Sequence, residues 1–215
     1  MNVKLSLVFL GLLLNCNCFS QYNMKKFKEG YVLRNKDTVK CKIFVGASAN
    51  PEQVVFKYTD SKFEEPISYF AGSIIKGFGY RKDTVAIDFY AFSRKKPALF
   101  SSKNETVYGL ILANGFLKLL EHADNKYRGG IIGGTIYHVI QYYLYRPDKD
   151  SAYEVTFQGL LGPGIDENIL REYFNEYPEL LAKIKKKMKL EDLIALVKEF
   201  NALYEEKKKN GQPAN

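Results

Sequence analysis

The chain has 215 residues, 46% of them hydrophobic and 26% charged, and a formal net charge of +8. That length holds one domain with a real core, or one domain plus a helical appendage. The basic excess is mostly lysine, gathered at Lys183, Lys185, Lys186, Lys187 and Lys189 and again at Lys207, Lys208 and Lys209. Such runs read as solvated faces or weak attraction to anionic envelope surfaces, and no nucleic-acid partner is expected.

Residues 1–20 have the form of a secretory signal. Lys4 supplies the positive start, and the apolar run at 5–14 is too short to span a bilayer. Cys18 and Ser20 are the small residues expected before a cut at Gln21. A lipoprotein signal is the alternative, because Leu13-Leu14-Asn15-Cys16 loosely matches a lipobox, but Asn15 is a poor residue before the cysteine. No later segment reaches transmembrane length, so the mature chain is expected to carry no transmembrane segment. With the leader removed, Cys41 is the only cysteine left. Its place on an apolar strand face favours burial as a small hydrophobe; a reactive thiol or an intermolecular disulfide are the alternatives.

From residue 30 to 45 the pattern is a β-hairpin: strand 31–34, turn Asn35-Lys36-Asp37, and a return strand with Val39, Cys41, Ile43 and Val45 on one face. Residues 53–58 make a third strand, with Val54, Phe56 and Tyr58 in phase, and Glu65-Pro66-Ile67 leads a short extended piece. A second hairpin covers 73–92, with Ile74, Phe78 and Tyr80, then Val85, Ile87, Phe89 and Ala91, on its apolar face. Residues 93–106 are polar and read as a loop. Asn114-Gly115, between strands 107–113 and 116–122, predicts a two-residue type I′ turn. After a glycine-rich connection at 128–134, residues 135–146 form the longest strand and 152–158 pairs with it. Strands that follow one another without helical crossovers predict an antiparallel meander.

Gly162-Pro163-Gly164 marks a boundary, after which the period becomes helical. Asp166 caps a first helix, Pro178 opens a second, and Glu191 and Asp192 open a third carrying Leu193, Ile194, Leu196, Val197, Phe200 and Leu203. A stripe that wide needs a cover, so these helices are expected to pack on the sheet. The predicted fold is α+β: an antiparallel β-sheet over residues 21–161, open or curled toward a barrel, then about three helices over 162–206. Residues 205–215 read as a frayed end, with a disordered tail over 207–215.

Catalytic signatures are sparse. The mature chain has two histidines, His122 and His138, at no metal-ligand spacing, and there is no HExxH, CxxC or GxSxG. A composite zinc site of both histidines with Glu121 or Asp124 is the alternative to histidines that are core or surface residues with local partners. The glycines of 129–134 lack the Lys-Ser/Thr of a phosphate loop, and Glu64 and Glu65 are adjacent, so in an extended segment they point to opposite faces. No metal or cofactor is expected. In the strand at 135–146, Ile136, His138, Ile140, Tyr142 and Leu144 make the more apolar face, predicted to be core. The opposite face carries Tyr137, Gln141, Tyr143 and Tyr145, a tyrosine stripe suited to stacking on sugars or peptide side chains, the alternative being burial under helices.

The leader ending Phe19-Ser20-Gln21, the hairpin GYVLRNKDTVKCKI and the C-terminal YFNEYPELLAKI and FNALYEE resemble uncharacterised exported proteins of Bacteroidetes, with a GY-x-x-x-x-x-DT-V hairpin and a helical C-terminus. Lys36 stands where that hairpin's turn glycine is usual, and Cys41 where its second glycine is. The resemblance implies a location in the periplasm, at the outer-membrane periphery or outside the cell, and supplies no catalytic residue. In the same setting Asp37-Thr38-Val39, Asp83-Thr84-Val85 and Asp150-Ser151-Ala152 are similar to the Asp-Ser/Thr-aliphatic tripeptide that Bacteroidetes O-glycosylate, which makes Thr38, Thr84 and Ser151 candidate acceptors; good turn-ending chemistry is the competing explanation. Three functions stand open: an exported, non-catalytic protein binding an envelope protein, glycan or small ligand through its β layer; a hydrolase using His138 or His122; and a calycin-like carrier of an apolar molecule.

Overall fold

The computed structural model describes residues 26–45, 52–59, 66–96, 103–129, 134–159 and 162–211, with side chains omitted for 125–138 and 157–163. The leader, Glu64 and Glu65 lie outside this set. The fold is α+β, as expected. Ten strands make one antiparallel sheet: β1 Phe27–Arg34, β2 Thr38–Phe44, β3 Gln53–Tyr58, β4 Ile67–Phe70, β5 Ile75–Lys82, β6 Val85–Lys96, β7 Lys103–Ala113, β8 Lys118–Gly129, β9 Gly134–Tyr145 and β10 Tyr153–Glu154. Their spatial order is β10-β9-β8-β7-β6-β5-β1-β2-β3-β4. Two meanders, β1 to β4 and β5 to β10, are therefore joined by the β1–β5 ladder, and the sheet is not closed.

The first meander nevertheless curls. In a flat sheet β4 and β5 would stand four strand spacings apart, about 19 Å. The link from Phe70 to Ile75 reaches at most about 18 Å when fully extended. It is not extended: Ser73 N–H donates to the Phe70 carbonyl at 3.2 Å, and Gly72 turns the chain at φ +83°. The strands must therefore wrap, which brings Val32, Cys41, Ile43, Val54, Phe56 and Ile75 into one buried cluster with Ala91 and Tyr108. Cys41 is fully buried there, and burial, followed by the nearby Glu29 charge, pushes its thiol up to about 12. Ile75 is the buried residue of this stretch, while Ile74 and Val85, expected on the apolar face, are 44% and 61% exposed.

A second core lies where the helices cover the other end of the sheet. Helix α1, Glu167–Tyr173, is capped by Asp166, whose carboxylate accepts from the Asn168 and Ile169 amides at 2.9 and 3.3 Å. Helix α2, Pro178–Leu181, begins on its proline, and α3 runs Leu190–Lys209. Leu193, Leu196, Val197 and Phe200 of α3 pack with Leu117, Leu119 and Leu144 of the sheet and with Leu170, Phe174 and Leu180.

Five expectations about elements are corrected. Residues 93–96 and 103–106, expected in a loop, are strand: β6 and β7 stay paired from Ser93–Thr106 to Lys96–Lys103, and 97–102 lie outside the described residues. The Asn114-Gly115 turn is a four-residue loop without positive φ at either residue. Its glycine is needed for close approach, since a Cβ there would meet Asn201 Nδ2 at 2.3 Å. Asn201 in turn accepts from Leu117 N–H at 2.8 Å and donates to the Leu117 carbonyl at 2.9 Å, tying α3 to the loop. The strand expected at 152–158 splits into β10 and β11 (Thr156–Gly159), and Gly162-Pro163-Gly164 belongs to β12, Gly162–Ile165, which pairs with β11. Pro163 is tolerated because each strand of a two-stranded ribbon has a free edge. Residues 207–209 are helical, their lysines complementing the negative end of α3.

Candidate functional site

Three register facts assemble the site. Arg94 lies opposite Glu105, His122 opposite Gln141 and Leu120 opposite Tyr143. Side chains two apart share a face, so Phe92, Arg94, Glu105, His122, Asp124, Gln141 and Tyr143 gather on one side of β6 to β9. Phe92, Val107, Leu120, Tyr143 and Ala152 form its apolar floor. The segment after β9 folds over this face, with Ala152 N–H donating to the Ser93 carbonyl at 2.7 Å.

Arg94 is the centre. It is only 4% exposed. Its Nε and Nη2 reach Glu105 Oε1 at 2.8 and 2.7 Å, and Nη1 reaches Asp124 Oδ2 at 3.1 Å, the Tyr143 hydroxyl at 3.1 Å and Gln141 Oε1 at 3.3 Å. Gln141 passes the chain on, its amide donating to Glu154 of β10. Burial alone works against the guanidinium charge, but Tyr143 and Asp124 outweigh it, so its pKa stands above the ordinary arginine value. Burial pushes the Tyr143 hydroxyl up to about 12 against the opposing pull of Arg94.

His122 is 2% exposed and edges against Phe92. Its Nδ1 lies 2.9 Å from the Tyr108 carbonyl, which can only accept, so Nδ1 carries the proton. Nε2 faces Asp124 Oδ1 at 4.0 Å, too far for a hydrogen bond. Burial lowers its pKa, the Tyr108 bond opposes this, and the Arg94 charge lowers it further. Among the described residues His122 has no hydroxyl or thiol as a hydrogen-bond partner, and no three His, Cys, Asp or Glu side chains come together as metal donors. The carboxylates nearest to it are spent on Arg94.

The network forms one wall of an open cleft of about 870 Å³, reached by Tyr143 and Glu154 and bordered by residues 146–152, Tyr153 and the turn after α1. Arg146 makes a two-pronged pair with Asp148, Nε to Oδ1 at 2.9 Å and Nη2 to Oδ2 at 2.6 Å, which holds the Asp148 carboxyl below its ordinary pKa. The guanidinium lies 5.1 Å over Phe116, which stacks on Tyr204 of α3 at 3.9 Å. Tyr153 is 41% exposed, 5.9 Å from Tyr173. The Tyr173 hydroxyl is buried without a hydrogen-bond partner among the described residues.

The expected tyrosine platform is therefore not exposed. Tyr143 and Gln141 are 3% and 5% exposed, Tyr145 is half-buried, and the face supposed to be core leaves Ile140 42% exposed. The reason is Arg94, which supplies the polar partner that lets tyrosine and glutamine lie inside. The side chains of Tyr137 and His138 lie outside the described residues. Thr38 and Thr84 are exposed at turn-to-strand junctions, and Ser151 is half-buried on the cleft wall. Sequence reasoning missed Arg94, Glu105, Arg146 and Glu154. The available signal was that Phe92-x-Arg94 and Glu105-x-Val107 keep the strand period of two. No family model, curated protein or solved structure matches the chain.

Proposed function

We propose that this chain is an exported, non-catalytic protein of the cell envelope or secreted fraction that binds a ligand or partner in the cleft beside the Arg94 network. The observation that carries the reading is the commitment of its polar groups. Arg94, Glu105, Asp124, Gln141 and Glu154 are bonded to one another across five strands, a preorganised polar wall whose charged groups are committed to each other. Preorganised walls lower the ordering cost of binding, and the cleft is of small-ligand size, within the range of about 300–1,000 Å³. The hydrolase reading is weaker at His122, whose protonated nitrogen is spent on a backbone carbonyl. The carrier reading is weaker because Phe56, Ile75 and Tyr108 fill the curled half of the sheet. Export rests on the leader at residues 1–20.

The test is native mass spectrometry on the protein purified without denaturant from its own host. A chain beginning at Gln21 and carrying a non-covalent adduct is expected, the adduct being absent from Ser151→Trp, which fills the cleft. Retention of residues 1–20 in the cytosol would overturn export, and a diacylglyceryl-modified Cys16 would overturn cleavage at Gln21. An adduct-free wild type, or an adduct kept by Ser151→Trp, would overturn binding in the cleft.

A further inference from the structure

We infer that the ligand of the cleft is a neutral oligosaccharide, with Tyr153 as its stacking surface; the inference rests on the binding reading above and names the ligand class. The charge balance comes first. Three cationic side chains and four carboxylates line the cleft, and two of these seven, Arg146 and Asp148, are paired with each other. Neither sign has the excess that would draw a highly charged ligand out of water. What the lining offers is a mixture of acceptors and donors. Asp150 and Glu154 accept, Lys95 and Lys149 donate, and Ser151 and Asn175 do both. Sugar hydroxyls are the common ligand groups that need both at once, and their bonds to carboxylates are the stronger, charge-assisted kind.

Stacking comes second. A pyranose has a face of C–H groups that packs on an aromatic ring, and Tyr153 is the most exposed aromatic side chain of the cleft, 41% open to solvent. It stands next to Glu154, on an edge strand only two residues long. On one side its ring leans on Tyr173 at 59°, which limits its motion. Glu154, the next residue, lies opposite Tyr143 and so presents to the other face of β10, where Gln141, itself held by Arg94, fixes it as an acceptor at the edge of the cleft rather than on the face of the ring.

The experiment is a titration of the mature full chain, followed by backbone-amide NMR, with neutral hexasaccharides (cellohexaose, maltohexaose, mannohexaose, chitohexaose) and, in parallel, with hexagalacturonate. Saturable shifts of amides 150–154 and 173–176 are expected with at least one neutral sugar below about 10 mM, unchanged by about 0.5 M salt. Tyr153→Ala is expected to weaken that binding at least about tenfold, and Tyr153→Phe to keep it, because the ring face does the stacking. Both variants are expected to be fully folded at the temperature of the titration, Tyr153→Ala melting somewhat below wild type because it loses the contact with Tyr173. Silence toward all four neutral sugars, or a Tyr153→Ala chain that binds as well as wild type, would overturn the inference. Binding of hexagalacturonate alone, lost in salt, would overturn it too, while leaving the binding cleft standing. Silence of these amides combined with an adduct in native mass spectrometry would remove only the sugar assignment, whereas silence with no adduct would remove both.

Discussion

Tyr143 shows how much a single residue depends on a partner far away in the chain. Its ring packs 5.1 Å from Phe92, and its hydroxyl accepts from Arg94, 49 residues earlier. Tyr143→Phe keeps the ring and removes one acceptor from a buried guanidinium, a loss of about 1.5–3 kcal/mol for a hydrogen bond to a charged group. Tyr143→Ala also empties a packed site, and large aromatic truncations cost about 3–5 kcal/mol. Urea unfolding of the two variants checks the order; equal midpoints for Tyr143→Phe and wild type would mean that the Arg94 bond contributes nothing. The strand to which Tyr143 belongs is legible only in part for the same reason. Hydropathy along 135–146 favours the face of Leu144, which is core, and leaves the tyrosine face open between platform and burial; nothing local indicates that an arginine on another strand will satisfy a tyrosine and a glutamine. Cys41 was legible because its neighbours Val39 and Ile43 carry the whole argument within one strand.

At the scale of elements, legibility followed regularity. The hairpin of β1 and β2, the bounds of β3, the Asp166 cap and the proline start of α2 all follow from local patterns, and the structure contains them. Residues 93–96 and 103–106 did not, because two polar strand ends look like a loop until their pairing is known. The helical end has a division of labour that the sequence could only suggest. The curled β1–β5 part has its own buried cluster with no helical member, whereas Leu117, Leu119 and Leu144 are covered by α1 to α3. Truncation after Gly164 removes Leu193, Leu196, Val197 and Phe200 from that cover, each fully buried large side chain contributing about 1.5–3 kcal/mol. The expected product aggregates through the uncovered ends of β7 to β9. A 21–164 fragment that melts cooperatively as a monomer would mean that the helices are a separate module.

Over the whole molecule the charges are arranged asymmetrically in depth. The surface carries lysines, while among the described residues the interior holds Arg94 with Glu105, Asp124 and, through Gln141, Glu154, and His122 beside them. Protonating His122 would place a second cation next to Arg94 in a site from which water is excluded. Its folded pKa therefore lies below the model-peptide value of 6.5, burial being the largest cause. The sign follows from linkage: below that unfolded value the unfolded chain takes up a proton that the folded chain refuses, so stability is full above about pH 6.5 and declines as pH falls. Asp148, held down by Arg146, acts in the same direction but only lower, as pH drops below the ordinary carboxylate range. Glu121, raised by burial, works the other way and does so above the ordinary carboxylate range. Both carboxylates are common to wild type and a His122 variant, so the difference between the two proteins isolates the histidine. The melting temperature is expected to fall between pH 7 and about 5 in wild type and to fall less in His122→Gln, whose amide can still donate to the Tyr108 carbonyl. Melting curves at constant ionic strength decide it: parallel pH profiles for the two proteins would show that His122 is not the group that makes the interior sensitive to acid.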